Sequence, residues 1–235
     1  EVAYSSSSGA GNSVIAGASA ASLAWSAEPK RVLVIRLDFP DLTGAPLGVA
    51  AWASRLNDTS DSINTMSYGK CNLSTRDITS SVLRMTQPAN SYSSGALASE
   101  AKSLAEAAGY PTADYDIFIY NLKPTERIRG AFANLGGGNQ WDTGAVGYDT
   151  VIHECGHNLG LAHANFWVGS LTGGDFTERR GFTSTWGFAQ NDEYGDVFDM
   201  MAVQFRNAPG SDGVLENGHF SMNGKVCLGW IEPDR

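Results

Sequence analysis

Cysteine and histidine are both scarce in this chain of 235 residues, with three of the first and four of the second. Cys71, Cys155 and Cys227 form no C-x-x-C pair, which excludes a zinc-finger or thioredoxin-type motif. An odd count permits at most one internal disulfide and leaves a thiol over. No run approaches the roughly 18 consecutive apolar residues of a membrane-spanning helix. Positive charge is sparse as well: 16 Lys and Arg stand against 25 Asp and Glu, a formal charge of −9, with no basic stripe of the kind that binds nucleic acid. Only 17% of residues are charged while 42% are hydrophobic, so the chain is able to bury a core and is not of disordered type. The acidic, glycine-rich composition suits an exported protein, and the length fits one large domain or two small ones.

Residues 1–27 hold eight Ser, eight Ala and three Gly. Such a segment has little to bury and reads as a flexible leader or an adaptable surface strap, without the basic start and apolar stretch of a signal peptide. Order begins at Arg31, where a β-branched apolar run to Asp38, stopped by Pro40, predicts a buried strand. Residues 48–66 place Val49, Trp52, Leu56 and Ile63 near helical spacing. Further strands are expected up to Ile78, at Val82–Met85, at Asp116–Tyr120 and, more weakly, at Gly130–Leu135. A helix is expected over Ala96–Ala108, ended by Gly109 and Pro111, and another over Tyr148–Leu161. Beyond His163 the sequence is irregular until a short helix near Met222–Leu228. The first part thus alternates strand and helix while the last 70 or so residues do not, which suggests an α/β half carrying a sheet and then an irregular half held to it.

One segment carries chemistry: His153-Glu154-Cys155-Gly156-His157-Asn158-Leu159-Gly160-Leu161-Ala162-His163, spaced H-E-x-x-H-x-x-G-x-x-H. His153 and His157 are four apart, so both imidazoles leave one helix face and can grip one ion. Glu154 lies one position round, able to reach a water on that ion without ligating it. Were the helix to continue, His163 would sit roughly 9 Å beyond His157 along the axis. Gly160 is able to take positive φ, end the helix and let the chain return a third imidazole. Three neutral imidazoles suit one Zn²⁺, and three protein ligands leave a position open, which is a catalytic arrangement. Cys155 is two positions from each histidine and points off that face. It reads as a small buried hydrophobe or as half of a disulfide with Cys71 or Cys227; were it free, Cys71–Cys227 would be the remaining pair.

This segment resembles the zinc-binding consensus of the metzincin metalloendopeptidases. Tyr194–Ala202, which contains D-x-M ending at Met201, resembles the methionine turn of that clan, with Met200 as the alternative methionine. The wording is closest to the gametolysin-like family, as are Ser67–Lys70 and Lys225–Trp230. The resemblance implies an α+β fold of the metzincin-type zincins, with an upper subdomain of mixed sheet and helices and a smaller irregular lower subdomain ending in a C-terminal helix. It implies one catalytic domain over 1–235, comprising the leader 1–27, the upper part 28–163 and the lower part 164–235. The implied activity is that of a secreted zinc endopeptidase acting on extracellular proteins or glycoproteins, matrix or cell-wall proteins among them. His153, His157 and His163 would be the metal ligands and Glu154 the catalytic general base. Astacin-like and serralysin-like members carry a tyrosine two residues after the methionine; Val203 stands there, so no tyrosine switch is expected.

The strand near Gly130–Leu135 is expected to edge the cleft and to bind an extended peptide by strand addition. Gly136–Gly138 has no following Lys-Ser/Thr and reads as a turn. His219 stands alone and reads as an ordinary histidine. The carboxylates Asp175, Asp192, Glu193, Asp196, Asp199 and Asp212 raise Ca²⁺ as a second ion, without a specific calcium motif among them. Trp186, Phe188 and Phe198 are candidates for a small core or for a specificity pocket. The expected partner is a protein or peptide substrate, with neither nucleic acid nor membrane, and the expected state is a monomer.

Overall fold

The structure, a computed structural model, describes residues 20–164, 166–167, 191–192, 199–202 and 219–232. Its centre is strand β1, Lys30–Asp38, whose Val-Leu-Val-Ile run is buried on both faces, as the continuous apolar pattern requires. Helix α2, Val49–Met66, leads to β2, Leu73–Ile78, which lies parallel to β1. The short β3, Leu83–Arg84, also pairs with β1, and α3, Ser94–Ala107, crosses to β4, Ile117–Leu122. Strands β5, Ala131–Ala133, and β6, Asn139–Thr143, form a hairpin that delivers helix α4, Tyr148–Leu159. The sheet order is β2-β1-β4-β6-β5, parallel except for the antiparallel β5 at its edge. The fold is therefore α+β with a mixed sheet.

Two apolar layers sandwich this sheet. On one face Val32, Val34, Ile117 and Ile119 meet Trp52, Leu56 and Ile63 of α2 and Val151, Ile152 and Leu159 of α4. On the other, Leu33, Ile35, Phe118 and Tyr120 meet Leu97, Ala101 and Ala105 of α3. Each fully buried Leu or Ile contributes about 1.5–3 kcal/mol relative to exposure, so both helical layers are held mainly by these side chains. Helix α3 begins where Ser93 Oγ accepts from Ala96 N at 3.2 Å and ends before Gly109, whose φ of 92° is left-handed. Helix α2 buries Trp52, Leu56, Thr59, Ser60, Ile63 and Met66, while Val49, expected on the apolar face, is 40% exposed in its first turn.

Several expectations need correction. Strand β6 was not foreseen, because Asn-Gln-Trp-Asp-Thr has few of the residues that favour strands. Residues 20–26 of the supposed leader form a helix, α1, Ala20–Ser26, whose Trp25 packs on the core and whose Ser26 is buried. Ser26 Oγ donates to Leu228 O at 2.8 Å and Trp230 Nε1 donates to Ser26 O at 2.8 Å, so this segment is bound to the C-terminal region. No disulfide forms: Cys71, Cys155 and Cys227 are all free thiols, which removes the Cys71–Cys227 pairing and leaves Cys155 as a buried small side chain. Two two-residue strands, β7 at Phe166–Trp167 and β8 at Asn191–Asp192, pair antiparallel, and a short helix, α5, spans Met222–Cys227. Among the described residues no helix is long and apolar enough to cross a membrane.

Candidate metal centre

Helix α4 carries His153, Glu154 and His157, and α2 secures its start. Arg55 Nε donates to Val146 O at 2.6 Å, and the Tyr148 hydroxyl lies 2.6 Å from Ser62 Oγ. The end of α4 follows the expected course. Gly160 adopts φ +118°, its N–H and that of Leu161 both donate to Gly156 O at 3.1 and 2.9 Å, and the chain doubles back. An L-residue with a side chain would be strained at that φ. His163 thereby returns to the other two histidines, with ring centroids 4.8 Å from His157 and 5.6 Å from His153. One ligand nitrogen from each of the three rings lies within 4.8 Å of the other two, and no other group of three potential ligands gathers among the described residues.

Backbone carbonyls orient two of these rings. His153 Nδ1 lies 2.9 Å from Met200 O and His157 Nδ1 lies 2.7 Å from Leu161 O. A carbonyl only accepts, so both Nδ1 atoms carry the proton and both Nε2 atoms keep a lone pair for a metal. Burial, reinforced by the neighbouring His163 against the opposing effect of the Leu161 carbonyl, holds His157 below the usual imidazole range and so keeps it neutral. Two imidazoles with open Nε2 positions, joined by a ring nitrogen of His163, form a donor set that fits Zn²⁺. Glu154 is buried beside them with 4% exposure. Cys155 faces inward, its thiol 3.7 Å from Gln140 Oε1, and burial, with the charges of Asp142 and Glu154, pushes that thiol far above the ordinary range. It is neither a ligand nor a nucleophile.

The far end of α4 is braced from three sides. Gly136 N donates to His157 O at 2.8 Å, which makes Gly136–Gly138 a turn that caps the helix. Asn158 Nδ2 donates to Asn134 O at 3.3 Å and Asn139 O at 3.0 Å, and Trp25 Nε1 donates to Asn158 O at 2.8 Å. Beneath the helix lies a tight turn, Asp199–Ala202, closed by Ala202 N donating to Asp199 O at 3.0 Å. Met201 Sδ fits against Gly156 so closely that a Cβ there would lie 2.3 Å from it. His219 sits apart from the cluster, its Nδ1 3.2 Å from Lys225 Nζ, and is not one of the three. Of the carboxylates considered for calcium, Asp199 is occupied by backbone N–H groups. Asp175, Glu193, Asp196 and Asp212 lie outside the described residues, as do Trp186, Phe188, Phe198, Val203 and Tyr194–Phe198 of the methionine segment, while Asp192 is described only as part of β8.

A cleft of about 590 Å³ opens over the histidines and Glu154, walled by Ala131–Ala133 and Leu135 on one side and by Thr143, Val146 and Thr150 on another. Strand β5 is the last in the sheet order, so the expected edge strand does border this cleft. The sequence reading missed Thr143, Val146 and Thr150, whose only signal is their place just upstream of the histidines. It also missed the backbone carbonyl of Met200. Gly156 had a legible signal, a glycine inside a strong helix.

The family model described as Peptidase M66 matches residues 74–221, well over half of the chain and including the whole histidine segment. No curated protein matches the chain.

Proposed function

The chain belongs to the peptidase M66 family, and on that premise we propose that it is a secreted zinc-dependent endopeptidase of the metzincin type, with His153, His157 and His163 holding one Zn²⁺ and Glu154 as general base. The observation that carries this reading is the convergence of three imidazole nitrogens within 4.8 Å, next to a buried glutamate, on the floor of a cleft edged by an outer strand. Zinc, when bound, supplies Lewis acidity that acidifies a water and polarises a carbonyl. Glu154 takes a proton from the attacking water and returns it to the departing amine. The Met200 and Leu161 carbonyls keep His153 and His157 in one tautomer and one orientation. The outer side of β5 hydrogen-bonds an extended stretch of substrate, which favours polypeptide over a compact small molecule.

In this reading residues 1–235 form one catalytic domain that divides near His163, and Asp199–Ala202 with Met201 is the clan's methionine turn. The substrates are extracellular proteins or glycoproteins, and the enzyme works as a monomer. The test is cleavage of denatured gelatin or casein by wild type and Glu154→Ala, with zinc content measured on both. Wild type is expected to cut, and the variant to retain zinc without cutting. If both bind one zinc and neither cuts, a zinc-bearing binding module replaces the peptidase reading. If neither holds zinc, the metal assignment itself fails.

A further inference from the structure

Asp199 is 3% exposed, and both of its carboxylate oxygens are taken by backbone N–H groups from different segments. Oδ1 accepts from Met201 N at 2.8 Å, within its own turn, and Oδ2 accepts from Ser221 N at 2.9 Å, at the start of α5. Met200 N adds a backbone tie to His219 O at 3.0 Å. The turn so fastened sends two carbonyls to the histidine cluster. Met200 O meets His153 Nδ1 at 2.9 Å, and Met201 O accepts from Ala164 N at 3.0 Å, the residue next to His163.

We infer that Asp199 is a positioning residue for the metal centre: it anchors the turn whose carbonyls fix the tautomer of His153 and the backbone beside His163. The choice of a carboxylate follows from the geometry. Two N–H groups on opposite sides need two acceptor oxygens from one short side chain. Asparagine offers one oxygen and turns an NH₂ group toward the other N–H. An anchor lost here frees the Met200 carbonyl, and with it the hydrogen bond that presents the His153 Nε2 lone pair. The inference rests on the proposed role of His153 and His163 as zinc ligands.

The experiment measures zinc affinity of the full chain by competition with a chromophoric chelator, for wild type, Asp199→Asn and Ser221→Ala. Ser221 Oγ caps α5 by accepting from Gly224 N at 3.2 Å, and its removal leaves the backbone bond to Asp199 in place. Both variants are expected to melt at lower temperature, but only Asp199→Asn to weaken zinc binding, by about 10–100-fold as for other outer partners of metal-ligating histidines. Affinity within twofold of wild type in Asp199→Asn, or an equal loss in Ser221→Ala, would overturn the inference. A second measurement needs no variant. Coupling is reciprocal, so zinc should slow amide exchange at Met201 and Ser221 beyond the slowing at Leu97, whose N–H bonds Ser93 O in the distant α3. Equal slowing at all three overturns the inference even if Asp199→Asn fails to fold. A wild-type chain that takes up no zinc overturns the metal reading as well, whereas zinc bound with unchanged affinity in Asp199→Asn overturns this inference alone.

Discussion

Replacing Asp142 with asparagine should make the protein more stable, and increasingly so as pH rises. Asp142 is wholly buried on β6, with Oδ2 accepting from Gln140 Nε2 at 2.8 Å and Oδ1 without a partner. Among the described residues no cation faces it; its neighbours are Gln140, the Cys155 thiol and Asn121, its pairing partner on β4. Burial therefore pushes its carboxyl up to about 7, against the smaller opposing effect of the Gln140 hydrogen bond. In the unfolded chain the same group titrates near 3.9. The folded value is the raised one, so its contribution to stability is full below about pH 4 and is lost as pH rises to about 7. Three pH decades at 1.36 kcal/mol each give a ceiling of about 4 kcal/mol lost by neutral pH. An asparagine side chain at this position would not ionise and would keep an oxygen for Gln140. It would also turn an NH₂ toward the side of Asn121, whose Oδ1 is itself buried without a partner. Urea unfolding of wild type and Asp142→Asn at pH 4.5, 6 and 8 should give a stability difference that grows toward pH 8, to about 2–4 kcal/mol in favour of the variant. A difference that is the same at all three pH values, or that favours wild type at pH 8, would refute the argument.

Three other outcomes follow from the same geometry. Glu154→Gln should lower kcat by about 10²–10⁴-fold with zinc retained, as measured by turnover of a quenched peptide alongside metal analysis, since only proton transfer is removed. Gly156→Ala would gain helix propensity on an open helix, but here its Cβ would lie 2.3 Å from Met201 Sδ and 3.0 Å from the Phe220 ring, so thermal melting should show a net loss of about 1–3 kcal/mol. Gly160→Ala forces a side chain onto φ +118° and should cost about 1–2 kcal/mol while weakening zinc binding, because the turn that returns His163 is strained; unchanged affinity would show that His163 is not held by that turn.

The candidate metal centre was legible because its geometry is written locally. Four-residue spacing fixes one helix face for His153 and His157, and a glycine three residues on marks where the helix must stop. The buried strand β1 was legible for a like reason, a continuous apolar run that only a two-sided core accommodates. What escaped was the structure held by polar groups over long separations. Strand β6 is buried despite Gln140 and Asp142, because pairing with β4 and cover from α4 outweigh its weak strand propensity. Helix α1 has only Leu23 and Trp25 as large apolar residues, yet Trp25 and Ser26 dock through hydrogen bonds to residues 133 and 202 positions away, which no local pattern records. The cysteines show the same limit: their number allowed a bridge, but Cys71 lies in the core as a free thiol directed toward Glu28 O at 3.3 Å. The Met200 carbonyl, a backbone atom, has no signature in sequence at all.

The most direct test of the central claim is the zinc K-edge absorption spectrum of the purified full chain. The account predicts one zinc per chain, with three imidazole nitrogens at about 2.0–2.1 Å, light-atom scatterers only, and no sulfur, since Cys155 faces away from the cluster. A sulfur shell at about 2.3 Å, or fewer than three histidine ligands, would contradict it.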